Sequence, residues 1–417
     1  MEGSIDMSVR NRIDSSNPND IDITVGNEKD KLEKHKDGNV HDDDDDDDDD
    51  EYFYTPGPEE LYNVRVDIAK FAASRASLRL KRQYNEWKTL DSVDNLISRR
   101  GYLQKFKDLS LQGTQLLSNR FTSALSYNPK LDLLAAASWN GSCYLVHPSS
   151  LQTIKEYPNL HPEKVSGLHW SPIEPILATA GSDGAINLLS NPTHDADNGD
   201  NHSKITTLHG HQERINNVQF HPSGTVLASA SSDLTWRLWD VSRGTELYFQ
   251  EGHSDSVNTV SHHPDGSLLA SAGNDSIIKL WDLRSGNLVL DLMKNGHVGS
   301  IHSLAWRNNG YHLASGGADS QLLVWDIRMM KKLSSVLAHK KLISCLKFSE
   351  NGNVLLSSGY DGSLTMTSSD NWLIFKKFQT LDKIMALETK ELRDTSDTIT
   401  IYTGGWDRSI KLYNSNL

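Results

Sequence analysis

Histidine, hydroxyl and carboxylate side chains recur at fixed distances along this chain. A Ser–His–Asp set is the constellation of nucleophilic acyl transfer, in which the base activates the nucleophile and the acid orients the base. His211, Ser229 and Asp233 make one such set, and His253, Ser271 and Asp275 make a second. His297, Ser315 and Asp319 follow, then His339, Ser357 and Asp361, always with 22 positions from His to Asp. An active site needs its triad once. Repetition at one unvarying spacing points instead to a structural role repeated with the fold. No other chemistry is written into the sequence. The His262-His263 pair has no cysteine or carboxylate constellation around it, and there is no phosphate loop or zincin motif. Cys143 and Cys345 are too few for a disulfide framework or a cysteine zinc site. The expectation is a protein without catalytic residues, cofactor or metal.

The elements that hold these sets are repeats. Aligned on the acidic residue of a recurring turn, the chain gives Asn140, Asp183, Asp233, Asp275, Asp319, Asp361 and Asp407, separated by 43, 50, 42, 44, 42 and 46 residues. A histidine precedes five of these turns by 22 positions, His161 being the fifth, and three are followed by Trp-Asp at Trp239, Trp281 and Trp325. Tyr413 stands at that place in the last unit. Upstream come chain reversals such as His221-Pro222-Ser223-Gly224, and short apolar strands lie between the turns. Asn191 to Lys204, rich in Asn, Asp and His, reads as a loop insertion that lengthens one step.

A period of 40 to 45 residues with this signature resembles the WD-repeat family of β-propellers. The resemblance implies an all-β, seven-bladed propeller over residues 109–417, with four antiparallel strands per blade. It also implies that Asp, His, Ser and Trp form a buried hydrogen-bonded tetrad: His211, Ser229, Asp233 and Trp239, then His253, Ser271, Asp275 and Trp281, then His297, Ser315, Asp319 and Trp325. The chain ends four residues after Tyr413, so the last blade lacks an outer strand. The segment 109–117 is predicted to supply it and close the ring, which removes an exposed sheet edge. In such propellers the residue just before the turn acid lies on one rim. That position carries aromatics at Trp139, Tyr360 and Trp406, in units that become neighbours on closure, and they form a candidate partner-binding rim.

Charge is distributed unevenly. The 417-residue chain has a net charge of -13, and residues 1–51 hold 19 acidic and 6 basic side chains, so the remainder is neutral. Nine consecutive aspartates, Asp42 to Asp50, end the acidic segment, which has too little apolar surface to offset ordering and reads as a disordered tail. Residues 52–108 read as a basic amphipathic helical segment. Leu61, Val64, Ile68, Phe71 and Leu78 recur at three- and four-residue steps between Glu59 and Trp87, without Pro or Gly. Arg75, Arg79, Lys81 and Arg82 are its densest basic part and form a candidate surface for RNA or an acidic partner, with Arg75, Arg79 and Arg82 on one face. No run of the sequence is long and apolar enough to span a bilayer, and the start has no secretory h-region.

Three stretches narrow the resemblance: Tyr52-Phe53-Tyr54-Thr55-Pro56-Gly57-Pro58 after the acidic run, the helix Val64 to Arg82, and Ser232-Asp233-Leu234-Thr235-Trp236-Arg237-Leu238-Trp239-Asp240. Together they resemble the WD-repeat pre-mRNA splicing factors of the U4/U6 small nuclear ribonucleoprotein. The resemblance implies a nuclear, non-enzymatic scaffold subunit of the U4/U6 and U4/U6.U5 particles. It would bind other proteins of the particle, and U4/U6 RNA directly or through them, with no membrane. The family's Phe-Gly-Glu core and following Arg-rich helix are not found in residues 1–50, so contacts made through them are not carried over. Trp281-Asp282-Leu283-Arg284 and Trp325-Asp326-Ile327-Arg328 also match the Trp-Asp-x-Arg motif of cullin-4 ubiquitin-ligase substrate receptors, which is the rival reading; a generic WD-repeat chromatin or signalling scaffold is a third.

Overall fold

The computed structural model describes residues 58–89, 93–192, 204–293, 296–391 and 399–415. The acidic tail and most of the insertion after Asn191 lie outside these residues. Twenty-eight strands form seven four-stranded antiparallel sheets. Blades 1 to 6 occupy residues 122–157, 165–209, 215–250, 257–291, 301–337 and 343–379 in chain order. Blade 7 holds three strands from the C-terminus, Ile384–Glu391, Ile399–Gly405 and Ser409–Ser415, and takes its outer strand, Leu109–Leu116, from ahead of the first repeat. The closing strand is thus the one expected from sequence. The innermost strands contact one another in a closed cycle, blade 7 against blade 1 included.

Strand composition follows from position in the blade. The second strands read Leu-Leu-Ala-Ala-Ala-Ser, Val-Leu-Ala-Ser-Ala-Ser and Leu-Leu-Ala-Ser-Ala-Gly, and are covered on both faces by neighbouring blades. Double burial removes the usual apolar–polar alternation, and small residues let adjacent sheets approach. Outer strands such as Thr153–Tyr157 and Lys331–Leu337 carry charge and meet water. Among the described residues the core divides into seven apolar clusters, one at each junction between adjacent blades.

One device recurs that the repeat alignment did not reveal. The innermost strand of every blade shifts register against its neighbour after the first residue, a β-bulge at Ser123, Ser166, Asn216, Asn258, His302, Ser344 and Met385. The bulged side chain reaches the next blade in five of the seven. Ser123 donates to the Val165 carbonyl at 2.6 Å, Asn216 to Val257 at 2.8 Å, Asn258 to Ile301 at 2.9 Å and Ser344 to Ile384 at 2.7 Å; Ser166 does the same to Ile215. Each of these five bulges therefore frees a polar group to staple consecutive blades near the axis.

Two helices precede the ring. Helix α1 (Glu59–Thr89) starts with Glu59 and Glu60 in its first turn, where carboxylates complement the helix dipole. Helix α2 (Val93–Lys107) leads into the closing strand. Leu61 and Ile68 are buried in the cluster between blades 3 and 4, and Val64 packs against it. Phe106 of α2 is buried between blades 6 and 7, beside Tyr102 and Leu103. The sequence reading differs at the C-terminal half of α1. Leu78 is 67% exposed, while Ala72 is buried and Arg79 turns to the propeller. The geometry explains this. At about 100° per residue, position 79 lies roughly 20° from Ile68 around the helix, whereas position 78 lies about 80° away.

Candidate functional site

The His–Ser–Asp sets close on themselves. In blade 3, His211 Nδ1 lies 2.7 Å from Asp233 and Nε2 lies 2.6 Å from the Ser229 hydroxyl, which also accepts the Trp239 indole N–H at 2.8 Å. The corresponding distances are 2.6, 2.7 and 2.8 Å for His253, Ser271, Asp275 and Trp281. For His297, Ser315, Asp319 and Trp325 they are 2.8, 2.8 and 2.9 Å. In blade 6, His339 meets Asp361 at 3.0 Å and Ser357 at 2.9 Å, and the Thr365 hydroxyl takes the tryptophan's part. All four serines are fully buried. A nucleophile with no exposed surface and both hydrogen-bonding partners inside the protein has no path to a substrate. These groups satisfy each other, as buried polar atoms must. Burial opposes the charge on Asp233 and Asp361. Their hydrogen bonds, from His211 and Thr235 in one case and Ser363 and His339 in the other, outweigh it and hold both below the usual carboxylate range.

The alternating turns of the blades define two faces. One carries the reversals between first and second and between third and fourth strands; α1 and α2 lie on it. Arg79 forms a fork with Asp265, at 2.9 Å from Nε and 2.8 Å from Nη2, and its Nη1 donates to the Asn309 carbonyl at 2.9 Å. Gln83 donates to the same carbonyl at 2.7 Å. Phe71 packs on His221 at 5.6 Å, and Arg99 of α2 pairs with Asp370 at 3.4 Å. Arg75, Lys81 and Arg82 are exposed, Arg82 near Glu86 at 3.6 Å. The face expected to carry Arg75, Arg79 and Arg82 together is therefore split: Arg79 is bound within the protein.

The opposite face carries the rim. Trp139, Tyr360 and Trp406 stand on the turns of blades 1, 6 and 7. Phe121 stacks on Trp406 at 4.3 Å and 12° and meets Trp139 edge-on at 5.5 Å, while Trp139 and Trp406 lie 6.4 Å apart. Lysines bind the ring system together. Lys383 Nζ sits 4.0 Å from the Trp406 centroid and 5.1 Å from that of Tyr360, and Lys164 lies 4.4 Å from Trp139. Burial raises the Tyr360 phenol above its ordinary value. Phe121, Lys164 and Lys383 occupy the position just before each blade's innermost strand, where the carbonyl accepts the N–H of Trp139, Ser182 and Trp406 respectively. The sequence reading passed over that position. Aligned across the units it reads Phe121, Lys164, Arg214, Ser256, Ser300, Leu342 and Lys383, a signal that was available beside the rim residues themselves.

The Trp-Asp-x-Arg arginines are folded back on their own turns. Arg284 pairs with Asp282 at 2.8 Å, and Arg328 pairs with Asp326 at 3.1 Å and covers Tyr311 at 3.6 Å. Among the described residues no group of histidine, cysteine and carboxylate side chains is gathered to hold a metal ion, and no helix is long and apolar enough to cross a membrane.

Comparison with known proteins agrees with this architecture. Residues 202–240, 244–282, 289–326 and 330–366 match the WD domain, G-beta repeat family, and residues 125–207 match the anaphase-promoting complex subunit 4 WD40 domain family. A PRP4-like U4/U6 small nuclear ribonucleoprotein protein of Arabidopsis thaliana is 34% identical over 31% of this chain and 24% of its own length. An uncharacterized WD repeat-containing protein of Schizosaccharomyces pombe is 31% identical over 43% of this chain and 38% of its own. The U4/U6 small nuclear ribonucleoprotein PRP4 of Saccharomyces cerevisiae is 43% identical over 369 residues, 87% of this chain and 77% of the yeast protein. With that identity along a seven-bladed ring and its preceding helices, the chain belongs to the WD-repeat family of the U4/U6 small nuclear ribonucleoprotein PRP4.

Proposed function

We propose that the chain is a non-enzymatic scaffold subunit of the U4/U6 small nuclear ribonucleoprotein, and of the U4/U6.U5 particle, supporting spliceosome assembly and pre-mRNA splicing in the nucleus. The observation that carries this reading is the 43% identity over 87% of the chain to a yeast protein named for that particle. The geometry supports the scaffold part. The repeated His–Ser–Asp sets are consumed in holding blades together, and the ring offers two opposed surfaces. One carries the helices with Arg75, Lys81 and Arg82 facing outward; the other carries the rim of Trp139, Tyr360 and Trp406. A platform with two independent faces can hold two partners at once. The outward cations suit RNA phosphates or an acidic protein surface, and the rim suits protein.

Sequencing the RNA that co-purifies with the intact protein tests the assignment. U4 and U6 RNA are expected in excess over other small RNAs. Recovery of a cullin and its adaptor without these RNAs would overturn it in favour of a ubiquitin-ligase receptor. Changing Arg75, Lys81 and Arg82 together to Glu should lower U4 and U6 recovery, most clearly at low salt, and should leave a shallower salt dependence than the parent's, because each neutralised phosphate releases bound counterions. Since these side chains are exposed, the same change should leave thermal stability within about 1 kcal/mol.

A further inference from the structure

We propose that the pocket between blades 6 and 7, on the face opposite the helices, binds an acidic peptide segment that also carries an apolar side chain. This deepens the scaffold reading and rests on it only in taking the partner to be a protein. The pocket is open, with a volume of about 440 Å³, and is walled by Tyr360 and Trp406 with Lys340, Lys341, Leu381 and Lys383 around it.

Charge selects the ligand. Three ammonium groups surround the pocket, and Lys164 adds a fourth on the same face beside Trp139. Of the two carboxylates in the wall, Asp361 is already committed. It takes His339 at 3.0 Å, the Lys340 backbone N–H at 3.1 Å and the Ser363 hydroxyl at 2.7 Å. Asp361 also pairs with Lys377 at 3.7 Å, so the three lysines of the wall face Asp382 and a carboxylate already shared with another lysine, and the pocket has an excess of positive charge with water on one side. A carboxylate entering between Lys340, Lys341 and Lys383 would gain charge-assisted hydrogen bonds without first breaking an ion pair.

The apolar part selects peptide over nucleic acid. Leu381, at the tip of the loop joining blades 6 and 7, is 103% exposed, an entire leucine side chain in water beside an aromatic wall. Stacking of bases needs open aromatic faces. Here Trp406 is already stacked on Phe121 and carries Lys383, and Tyr360 shares that ammonium. A base would have to displace one of these partners. An acidic side chain can meet the ammonium groups, and a neighbouring aliphatic residue can cover Leu381, with the ring system left intact. Aromatic anchors ringed by charge are the usual centre of a protein contact.

The test is fluorescence anisotropy with the full-length chain and three labelled probes: a twelve-residue peptide of Asp and Leu, the same peptide with Lys for Asp, and a twelve-nucleotide oligouridine. The acidic peptide is expected to bind, and the other two to bind at least about tenfold more weakly. Lys340→Glu with Lys341→Glu, and separately Leu381→Ser, should weaken the acidic peptide by about tenfold or more while leaving the melting temperature unchanged, because these side chains are exposed. Failure of the acidic peptide to bind, equal binding by parent and variants, or tighter binding of oligouridine that the same substitutions abolish would each overturn the proposal. Recovery of U4 and U6 RNA is a separate readout. A parent that binds the peptide but recovers neither RNA refutes the particle assignment and leaves the pocket standing.

Discussion

Breaking the Arg79–Asp265 fork should release the C-terminal half of α1 from the propeller. The Arg79 side chain is 17% exposed and that of Asp265 6%. Asp265 receives Nε and Nη2, while Nη1 and Gln83 hold the Asn309 carbonyl. An exposed pair of this kind would be worth about 1 kcal/mol or less. Removing one partner of a buried, hydrogen-bonded pair costs roughly 3–5 kcal/mol, because a charge is left behind in a site that water barely reaches. The edge position of Arg79 puts Asp265→Ala near the lower end, about 3 kcal/mol, and Arg79→Met near the same value. The double variant should be much less harmful than the sum, since neither orphaned charge remains. A double-mutant cycle by urea unfolding should thus give a coupling of about 1.5 kcal/mol or more. Hydrogen exchange adds a second readout. Leu61 and Ile68 keep the N-terminal half seated, so amides after Ala76 should exchange faster in either single variant while those before Ala72 do not. Additive single effects within about 0.5 kcal/mol, together with unchanged exchange after Ala76, would refute the latch.

The tetrads and the buried histidines give further predictions. Asp275→Ala should cost about 1–3 kcal/mol by leaving His253 without its 2.6 Å partner, and Trp281→Ala about 3–5 kcal/mol, because its ring fills the junction of blades 3 and 4; thermal melts in which either variant matches the parent would remove the structural role of these sets. Burial holds the imidazoles of His169 and His221 at about 4, and that of His262 well below its usual value. The unfolded chain therefore binds these protons first, so stability should fall as pH drops below about 6.5, and the part of the fall due to His169 and His221 should end below about 4. The depressed carboxyls of Asp233 and Asp361 stay ionised in the folded protein, while in the unfolded chain they begin to take up protons below about pH 5, so they steepen the fall at the acid end of that interval. A melting temperature independent of pH between 6.5 and 4 would contradict this.

The amino-acid sequence alone determined the number of blades, their boundaries and the strand that closes the ring. These features are periodic, and a period is visible wherever each unit must bury the same faces and satisfy the same polar groups. The recurrence of the sets of His211, His253, His297 and His339, and with it their structural role, was legible for the same reason, while their pairing with Asp, Ser and Trp was what the resemblance to the WD-repeat family implied. The rim aromatics Trp139, Tyr360 and Trp406 were legible as a set, because closure makes the first and last units neighbours.

Tertiary structure decided what periodicity does not encode. Leu78 points to water and Arg79 to the propeller because the surface beneath the second half of α1 offers Asp265 and the Asn309 carbonyl. Both groups are more than 180 residues away in sequence. The α1 pattern alone treats an arginine as outward and a leucine as inward. Helix α2 escaped notice as a separate element, although Tyr102, Leu103 and Phe106 have helical spacing, because its apolar face is short and its partners in blades 6 and 7 come at the far end of the chain. The bulge staples from Ser123, Asn216, Asn258 and Ser344 reach carbonyls of the next blade, so their meaning depends on how adjacent sheets are turned against each other. The joining of Phe121 and Lys383 to the rim is of the same kind. Local spacing sets which residues repeat, but the energy of a charge or a ring depends on what long-range packing places beside it, and only the closed ring supplies those neighbours.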